Sequence, residues 1–285
     1  MFPPVAYSLP SGLQLAGWYA GAAPLTQPVL CLHGWLDNAN SFLPLAHSMP
    51  ELPLLALDLA GHGHSHHRSA DAHYYLLDYV ADIATLCRQQ QWQQLTVIGH
   101  SMGGMVATIL AASFPELVSK LVLIDSLGLI TTAAEMTASQ LRKAVISREQ
   151  SHQKQKPQYQ SLALAAAARQ QQSDFDLATA LLLTERGCAP TATGFSWRAD
   201  LKLREVSAFR LTETQAHAVI RSLKCPVLAL MSTQSPAEIR VAIQQFQADY
   251  PQLELIECPG GHHLHMTHAS VCASEIRRFL LEKHT

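Results

Sequence analysis

The sequence is poor in charge, and its two signs nearly cancel. Of the 285 residues, 15% are charged, and 20 basic residues against 22 acidic ones give a formal charge of −2. No run of like charge is present to attract phosphates or anionic lipid, which argues against nucleic acid or a membrane surface as a partner. Hydrophobic residues make up 48%, which is enough for a large buried core.

Segments that direct a chain into or across a membrane are also missing from the sequence. Residues 1–5 lack the basic and apolar regions of a signal peptide, and no run of 18 apolar residues occurs. The predicted location is therefore cytoplasmic. The six cysteines include no Cys-x-x-Cys pair and no zinc-site spacing, so we expect reduced thiols in the core.

Short apolar runs recur along the chain. Each has four or five mostly aliphatic residues with little alternation, which is typical of strands buried on both faces of a parallel sheet. Residues 5–19 alternate around Gly12 and predict an opening β-hairpin. Helical patterns at 75–87 and 102–113 lie between the runs, so the sequence predicts a doubly wound, mostly parallel α/β sheet. The runs are 29–32, 54–57, 95–98, 121–124, 227–231 and 253–256.

The alternation of strands and helices stops after Asp125 and resumes near Cys225. The stretch between them is rich in Ala and Gln and carries helical segments at 160–172 and 175–185, with no convincing buried strand. We predict a helical cap, residues 126–222, inserted into a core of residues 1–125 and 223–285. Apolar cap residues predict a largely hydrophobic pocket, namely Leu127, Leu129, Phe195, Trp197 and Phe209.

The sharpest motif is Gly99-His100-Ser101-Met102-Gly103-Gly104, between a predicted buried strand and a predicted helix. Glycines on both sides of Ser101 permit the crowded turn that raises its hydroxyl as a nucleophile. The backbone N–H of Met102 begins the helix and is a predicted donor to a developing oxyanion.

A second motif, His33-Gly34-Trp35, ends the run at 29–32. In this position the backbone N–H of Trp35 is the predicted second oxyanion donor, and His33 is expected to hold the loop.

A general base is predicted in the loop after the last strand. His262 directly follows Gly260-Gly261, where an imidazole can reach back over the sheet to a serine. His263 and His265 are the alternatives, and we expect them to pack or to order the loop.

These motifs resemble the α/β-hydrolase fold superfamily, from the hairpin to the C-terminal helix, and are similar to its serine hydrolase-like proteins. The resemblance implies the α/β-hydrolase fold, Ser101 as nucleophile, His262 as base and a hydrolase of small acyl compounds. The segments that carry it are 33–42, 58–65 and 99–104, with shorter stretches at 182–187 and 197–200.

The third catalytic residue, an acid that orients the base, departs from the pattern of most relatives. They place an aspartate a few residues beyond the penultimate strand. Ser235 stands there in this sequence, and a serine cannot stabilise an imidazolium by charge. Asp125 ends the strand after the nucleophile helix, which resembles the placement of the acid in other branches of the superfamily. We predict Asp125 as the acid, with Glu238 or a dyad without an acid as alternatives.

Other polar residues carry weaker signals. Asp37 and Asp58 are expected to accept hydrogen bonds that fix their loops. The histidines of 62–67 lack a companion carboxylate or thiolate and lie in a Gly-x-Gly turn, so no metal is predicted there. No cofactor is predicted.

The sequence as a whole predicts a serine esterase that acts on a small, hydrophobic acyl ester or thioester. Cleavage of a C–C bond or a lactone by the same residues is the alternative reaction. A catalytically silent protein that binds a ligand under the cap is the alternative outside enzymes, and Ser235 at the usual acid position keeps that alternative open. The sequence does not specify an oligomeric state.

Overall fold

The structure is a computed structural model that describes residues 2–22, 25–151 and 153–282. The strands are β1 Pro4–Ser8, β2 Gln14–Ala20, β3 Val29–Leu32, β4 Leu54–Leu57, β5 Leu95–His100, β6 Val118–Ile124, β7 Gln158–Tyr159, β8 Cys188–Thr191, β9 Gly194–Trp197, β10 Val227–Ser232 and β11 Leu253–Cys258. The α-helices are α1 Leu43–Ser48, α2 Leu76–Gln89, α3 Met102–Ser113, α4 Thr137–Ser151, α5 Leu162–Gln170, α6 Leu177–Gly187, α7 Glu213–Arg221, α8 Ala237–Phe246, α9 Leu264–Thr267 and α10 Ala269–Leu281.

Eight of the described strands form one sheet, in the order β1-β2-β4-β3-β5-β6-β10-β11. β1 pairs antiparallel with β2, and β2 pairs antiparallel with β4. From β4 to β11 every neighbouring pair is parallel. The predicted opening hairpin and the predicted doubly wound, mostly parallel sheet are confirmed.

The sheet is buried on both faces, as its apolar runs predicted. All four residues of β3 are buried, and they alternate between two apolar layers. Leu30 and Leu32 belong to a layer that includes buried residues of α2, α3, α7 and α8, whereas Val29 and Cys31 belong to a layer that includes residues of α1 and α10. Burial of each such side chain contributes about 1.5–3 kcal/mol, so the two layers fix the strand ends that carry the site.

The stretch between β6 and β10 is more mixed than predicted. It contains α4 to α7, and two of these, α5 and α6, lie within two residues of the predicted helical segments. It also contains a sheet of three described strands, in the order β7-β9-β8, that the sequence did not predict. These strands have two to four residues each and are mostly exposed or half-buried, so they lack the apolar runs that mark the central strands.

All six cysteines are buried and have free thiols, in agreement with the sequence. In the part of the chain that the structure describes, no helix is both long enough and apolar enough to cross a membrane.

Candidate active site

The residues predicted for the site follow the carboxyl ends of four neighbouring or nearby strands. Trp35 lies beyond β3, Ser101 follows β5, Asp125 follows β6 and His262 lies beyond β11. In parallel sheets this edge is where ligands bind. A cavity of about 670 Å³ opens here and is bordered by Ser101.

Ser101 occupies a strained turn between β5 and α3. Its φ of 50° and ψ of −119° lie where residues with a side chain are rare. The turn depends on close backbone contacts, because a Cβ on Gly103 would lie 2.0 Å from the carbonyl oxygen of Leu32 and a Cβ on Gly99 would lie 2.6 Å from that of Gly103. Only glycine fits at these two positions, which is the geometry of a nucleophile elbow.

Asp125 and His262 are in direct contact. Nδ1 of His262 lies 2.7 Å from Oδ2 of Asp125, and the Asp125 side chain is fully buried. Oδ1 of Asp125 accepts hydrogen bonds from the backbone N–H of Ser232 at 2.9 Å and from the hydroxyl of Ser235. Because a carboxylate accepts at Nδ1, that nitrogen carries the proton and Nε2 of His262 is the one left to face a substrate or a serine.

The alternative acid is placed elsewhere. Glu238 is exposed in the first turn of α8, and the carboxylate against His262 is that of Asp125. The ring of His262 packs on that of His100, the residue before Ser101, with ring centroids 4.8 Å apart. Ser126, which follows Asp125, donates its hydroxyl to the carbonyl oxygen of Ser101 at 2.8 Å. Asp125 and His262 thus contact each other directly, and their connections to Ser101 run through the neighbouring residues Ser126 and His100.

The predicted oxyanion donors border the same cavity as Ser101. Trp35 and Met102 both line it, and Met102 is the first residue of α3. Within residues 2–22, 25–151 and 153–282, neither backbone N–H has a hydrogen-bond partner. The N-terminus of α3 adds its partial positive charge beside Met102.

Buried polar side chains shape the loop that carries Trp35. His33 donates from Nδ1 to the carbonyl oxygen of Gly34 at 2.7 Å and accepts the N–H of Leu59 at Nε2 at 2.9 Å. His62 accepts the N–H of Leu36 at 3.2 Å. His33 thus holds the loop as expected, and His62, from the cluster at 62–67, has the same kind of role.

Asp58 joins this loop to α6. Its Oδ1 accepts the N–H of Ala39 at 2.8 Å, and its Oδ2 accepts the N–H of His64 at 2.7 Å. Arg186 of α6 donates from Nε to both carboxylate oxygens at 2.9 Å. Asp58 is thus a loop-fixing acceptor, as predicted, and it also forms a buried ion pair.

His263 and Asp37 form a second charged cluster beside His262. Nδ1 of His263 lies 2.7 Å from Oδ1 of Asp174, and Asp37 Oδ1 accepts from Arg169 at 2.7 Å. Burial opposes protonation of His263, but Asp37 and Asp174 raise its pKa to about 9. Burial lowers the pKa of His100, which therefore remains neutral in the same cluster.

His265 differs from its neighbours because it is buried without polar partners. Among the described residues, neither of its ring nitrogens has a hydrogen-bond partner. Its ring packs 4.2 Å from that of His100 and 5.3 Å from that of Phe42. Burial lowers its pKa to about 3, so His265 packs as a neutral ring, as the sequence led us to expect.

The cavity has mostly apolar walls. Of the five residues considered from the sequence, Leu129 and Phe209 line it, whereas Leu127, Phe195 and Trp197 do not. The other apolar and aromatic lining residues include Tyr74, Leu76, Met105, Ile109, Ile130 and Leu203. Part of this lining comes from α2 and α3, which composition alone could not assign to a pocket.

Comparison with known proteins identifies the family. The model of the alpha/beta hydrolase fold family matches residues 27–269. The chain belongs to the α/β-hydrolase superfamily. Serine hydrolase-like protein 2 of Homo sapiens is 31% identical to this α/β-hydrolase over an alignment of 277 positions, which covers 90% of this chain and 88% of the relative.

Solved structures agree with that assignment of this α/β-hydrolase. The crystal structure of the hypothetical protein PA1622 from Pseudomonas aeruginosa PAO1 is 36% identical, with a TM-score of 0.90 over 98% of this chain and 99% of that one. The thioesterase domain from the curacin biosynthetic pathway, at 24% identity and a TM-score of 0.86 over 98% and 99% of the two chains, shares the fold alone. By these similarities the protein is a hydrolase.

Two features of this α/β-hydrolase escaped the sequence reasoning. Ser235 was identified only as a missing acid, and its hydrogen bond to Asp125 was not foreseen. The pairing of His263 with Asp174 was also missed, because the two residues are 89 positions apart. The density of histidines at 262–268 was the one available signal for a polar cluster there.

Proposed function

We propose that this α/β-hydrolase is a serine hydrolase of the carboxylesterase type, which cleaves an ester or thioester of a small hydrophobic acyl group through an acyl-enzyme. Ser101 is the proposed nucleophile, His262 the base and Asp125 the acid. The contact of His262 with Asp125 is the observation that carries the proposal, since it orients a base whose ring packs on that of His100, the residue before the strained Ser101.

The proposed reaction has two halves. Ser101 Oγ attacks the acyl carbonyl carbon while His262 Nε2 takes the hydroxyl proton, and the N–H groups of Trp35 and Met102 stabilise the oxyanion. Collapse of the intermediate expels the alcohol or thiol, which receives the proton from His262. Water then attacks the acyl-enzyme, loses its proton to His262 and releases the carboxylic acid and free Ser101. Asp125 holds the ring and stabilises the imidazolium in both halves.

We also propose that residues 126–222 act as a cap on a core of residues 1–125 and 223–285. Leu129, Leu203 and Phe209 line the cavity together with Ser101 of the core. Buried ion pairs of Arg186 with Asp58 and Arg169 with Asp37 connect the same stretch to the core. The mostly apolar walls favour a hydrophobic acyl group, because an apolar cavity gains free energy from burying an apolar ligand.

The test combines covalent labelling with ester hydrolysis. Wild-type protein is expected to react with a fluorophosphonate and to hydrolyse at least one ester or thioester in a panel of graded acyl length. Ser101→Ala should lose both reactions without loss of fold, and Ser139→Ala, which changes a half-buried serine of α4 that does not line the cavity, should retain both.

Two results would reject parts of this proposal. If the wild-type protein does not react with the fluorophosphonate but binds hydrophobic ligands, it is a catalytically silent binding protein. A labelled protein that cleaves lactones or C–C bonds but no ester or thioester would keep the nucleophile and reject the substrate class.

A further inference from the structure

Three buried side chains next to the active site bring nitrogen and oxygen atoms close together. One possible ligand atom from each of Asp37, His100 and His263 lies within 4.8 Å of the other two. Nε2 of His263 is 3.4 Å and Nδ1 of His100 is 3.6 Å from Oδ2 of Asp37. The cluster is separate from the contact of His262 with Asp125 and plays no part in the proposed reaction.

The contact of His100 with Asp37 needs a positive partner. Nε2 of His100 lies 2.9 Å from the carbonyl oxygen of His262, so this nitrogen donates, and Nδ1 of the neutral ring is an acceptor. Among the described residues, this buried Nδ1 has no hydrogen-bond partner, and a carboxylate oxygen faces it. Two buried acceptors that face each other are unfavourable unless a cation lies near them, either the protonated ring of His263 at 3.4 Å from the same carboxylate oxygen or a metal ion that displaces the Nε2 proton of that ring.

The hydrogen bonds that orient these three side chains are of the kind that orient metal ligands in proteins. Metal-binding histidines usually donate their second ring nitrogen to a carboxylate or a carbonyl oxygen. His263 does so to Asp174 at 2.7 Å, and His100 does so to the His262 carbonyl. The second oxygen of Asp37 accepts from Arg169 at 2.7 Å, which orients the carboxylate but also adds a competing positive charge.

The spacing of the cluster also suits a small divalent ion. Zinc binds imidazole nitrogen and carboxylate oxygen at about 2.0–2.2 Å with tetrahedral geometry, which separates two ligands by about 3.3 Å. The two separations from Oδ2 of Asp37, 3.4 Å and 3.6 Å, are close to this value, and the ligand atoms of His100 and His263 lie within 4.8 Å of each other. Gly34 keeps the space beside the ligands open, since a Cβ there would lie 2.8 Å from Nδ1 of His100 and 3.2 Å from Oδ2 of Asp37.

We propose that Asp37, His100 and His263 bind a divalent cation of the Zn²⁺ class. The ligands come from the loop after β3, the end of β5 and the loop after β11, which also carry Trp35, Ser101 and His262. A bound ion would therefore hold the three loops of the active site together without contacting the substrate. This role is independent of the proposed hydrolysis.

The test measures metal binding without substrate, so it stays separate from any failure of the proposed function. Chelator-treated Ser101→Ala protein is titrated with Zn²⁺ by calorimetry and with Co²⁺ by visible absorption. One equivalent per chain is expected to bind at micromolar concentrations, with Co²⁺ giving the bands of a tetrahedral site. His263→Gln and Asp37→Asn should abolish this binding, and Asp174→Asn should weaken it about 10- to 100-fold. His66→Gln, which removes an exposed histidine, should leave it unchanged.

Two results would overturn the proposal. The proposal is wrong if neither the Ser101→Ala protein nor the wild type binds Zn²⁺ or Co²⁺, whatever the ligand variants show. Binding that survives in His263→Gln and Asp37→Asn, or that is lost in His66→Gln, would assign the ion to surface histidines. Far-UV circular dichroism of each variant identifies any loss of fold. If His263→Gln or Asp37→Asn does not fold, the titration of Asp174→Asn tests the proposal instead, and unchanged binding in that variant would overturn it.

Discussion

The hydroxyl of Ser235 donates a hydrogen bond to Oδ1 of Asp125, although the two residues are 110 positions apart. Both side chains are buried, and the other oxygen of the same carboxylate contacts His262. Ser235 stands a few residues beyond the penultimate strand, where the family resemblance implies an acid. Its hydroxyl instead orients a carboxylate that comes from the end of a neighbouring strand, so this position still serves the proposed base through Asp125.

Ser235→Ala tests this positioning role. A hydrogen bond to a charged group contributes about 1.5–3 kcal/mol, so a carboxylate that loses it should hold His262 less firmly. We expect kcat to fall by about tenfold or more, at about 1.4 kcal/mol per tenfold. KM should stay unchanged, because Ser235 does not line the cavity. Steady-state kinetics on the best ester of the panel measures both constants. A rise in KM with unchanged kcat would contradict the role, and Ser139→Ala is the matched control.

Asp125→Asn tests the acid itself. The amide keeps the side-chain volume but cannot stabilise an imidazolium, and the equivalent change in serine proteases lowers kcat by about 10⁴-fold. We expect a loss of similar size in a folded protein, which melting temperature confirms. Near wild-type turnover in a folded variant would show that Asp125 is not the acid.

The same variant allows a rescue experiment. Adding Ser235→Asp to Asp125→Asn places a carboxylate at the usual position, next to the former one. Recovery of turnover would show that the acid can occupy either strand end, and Glu238→Gln, which changes an exposed carboxylate, should leave the rate unchanged throughout.

Local patterns in the sequence were enough to predict much of this molecule. The helix at 102–113 was predicted with the bounds that the structure has, because its apolar residues follow directly on a buried strand and a glycine-rich turn. The residues around Ser101 and His262 were likewise recognisable, since each lies in a short glycine-rich segment whose geometry is set by its neighbours.

Long-range contacts of polar groups could not be predicted in the same way. The hydrogen bond of Ser235 to Asp125 and the pair of His263 and Asp174 depend on how distant segments pack, and no local pattern encodes them. The strands β7, β8 and β9 were missed because each is short and half-exposed, so no apolar run marks it.

His62 should make stability depend on acid pH. Burial lowers its pKa to about 3, whereas an unfolded imidazole has a pKa of about 6.5. Between about pH 6.5 and pH 3, the His62 ring binds a proton in the unfolded chain but not in the folded one. The free energy of unfolding is therefore at its full value above about pH 6.5 and falls towards pH 3 by about 1.4 kcal/mol per pH unit. Urea unfolding of wild type and His62→Gln at several pH values isolates the effect. The difference in their free energies of unfolding should narrow as the pH falls below 6.5, and a constant difference would contradict the prediction.

The length of the cavity along α3 should limit the acyl chain. Met102, Met105 and Ile109 line one side of it at helical spacing, which places Ile109 about 12 Å from Ser101 along the helix axis. Ile109→Phe adds volume at that distance and leaves the space beside the serine unchanged. We therefore expect kcat/KM for an octanoyl ester to fall by about tenfold or more, since a change of one methylene in an apolar pocket corresponds to about 1–3 kcal/mol. The value for an acetyl ester should change little. An equal fall for both esters would show that the substitution disturbs the fold or the elbow, and an unchanged ratio would show that the acyl chain does not extend along α3.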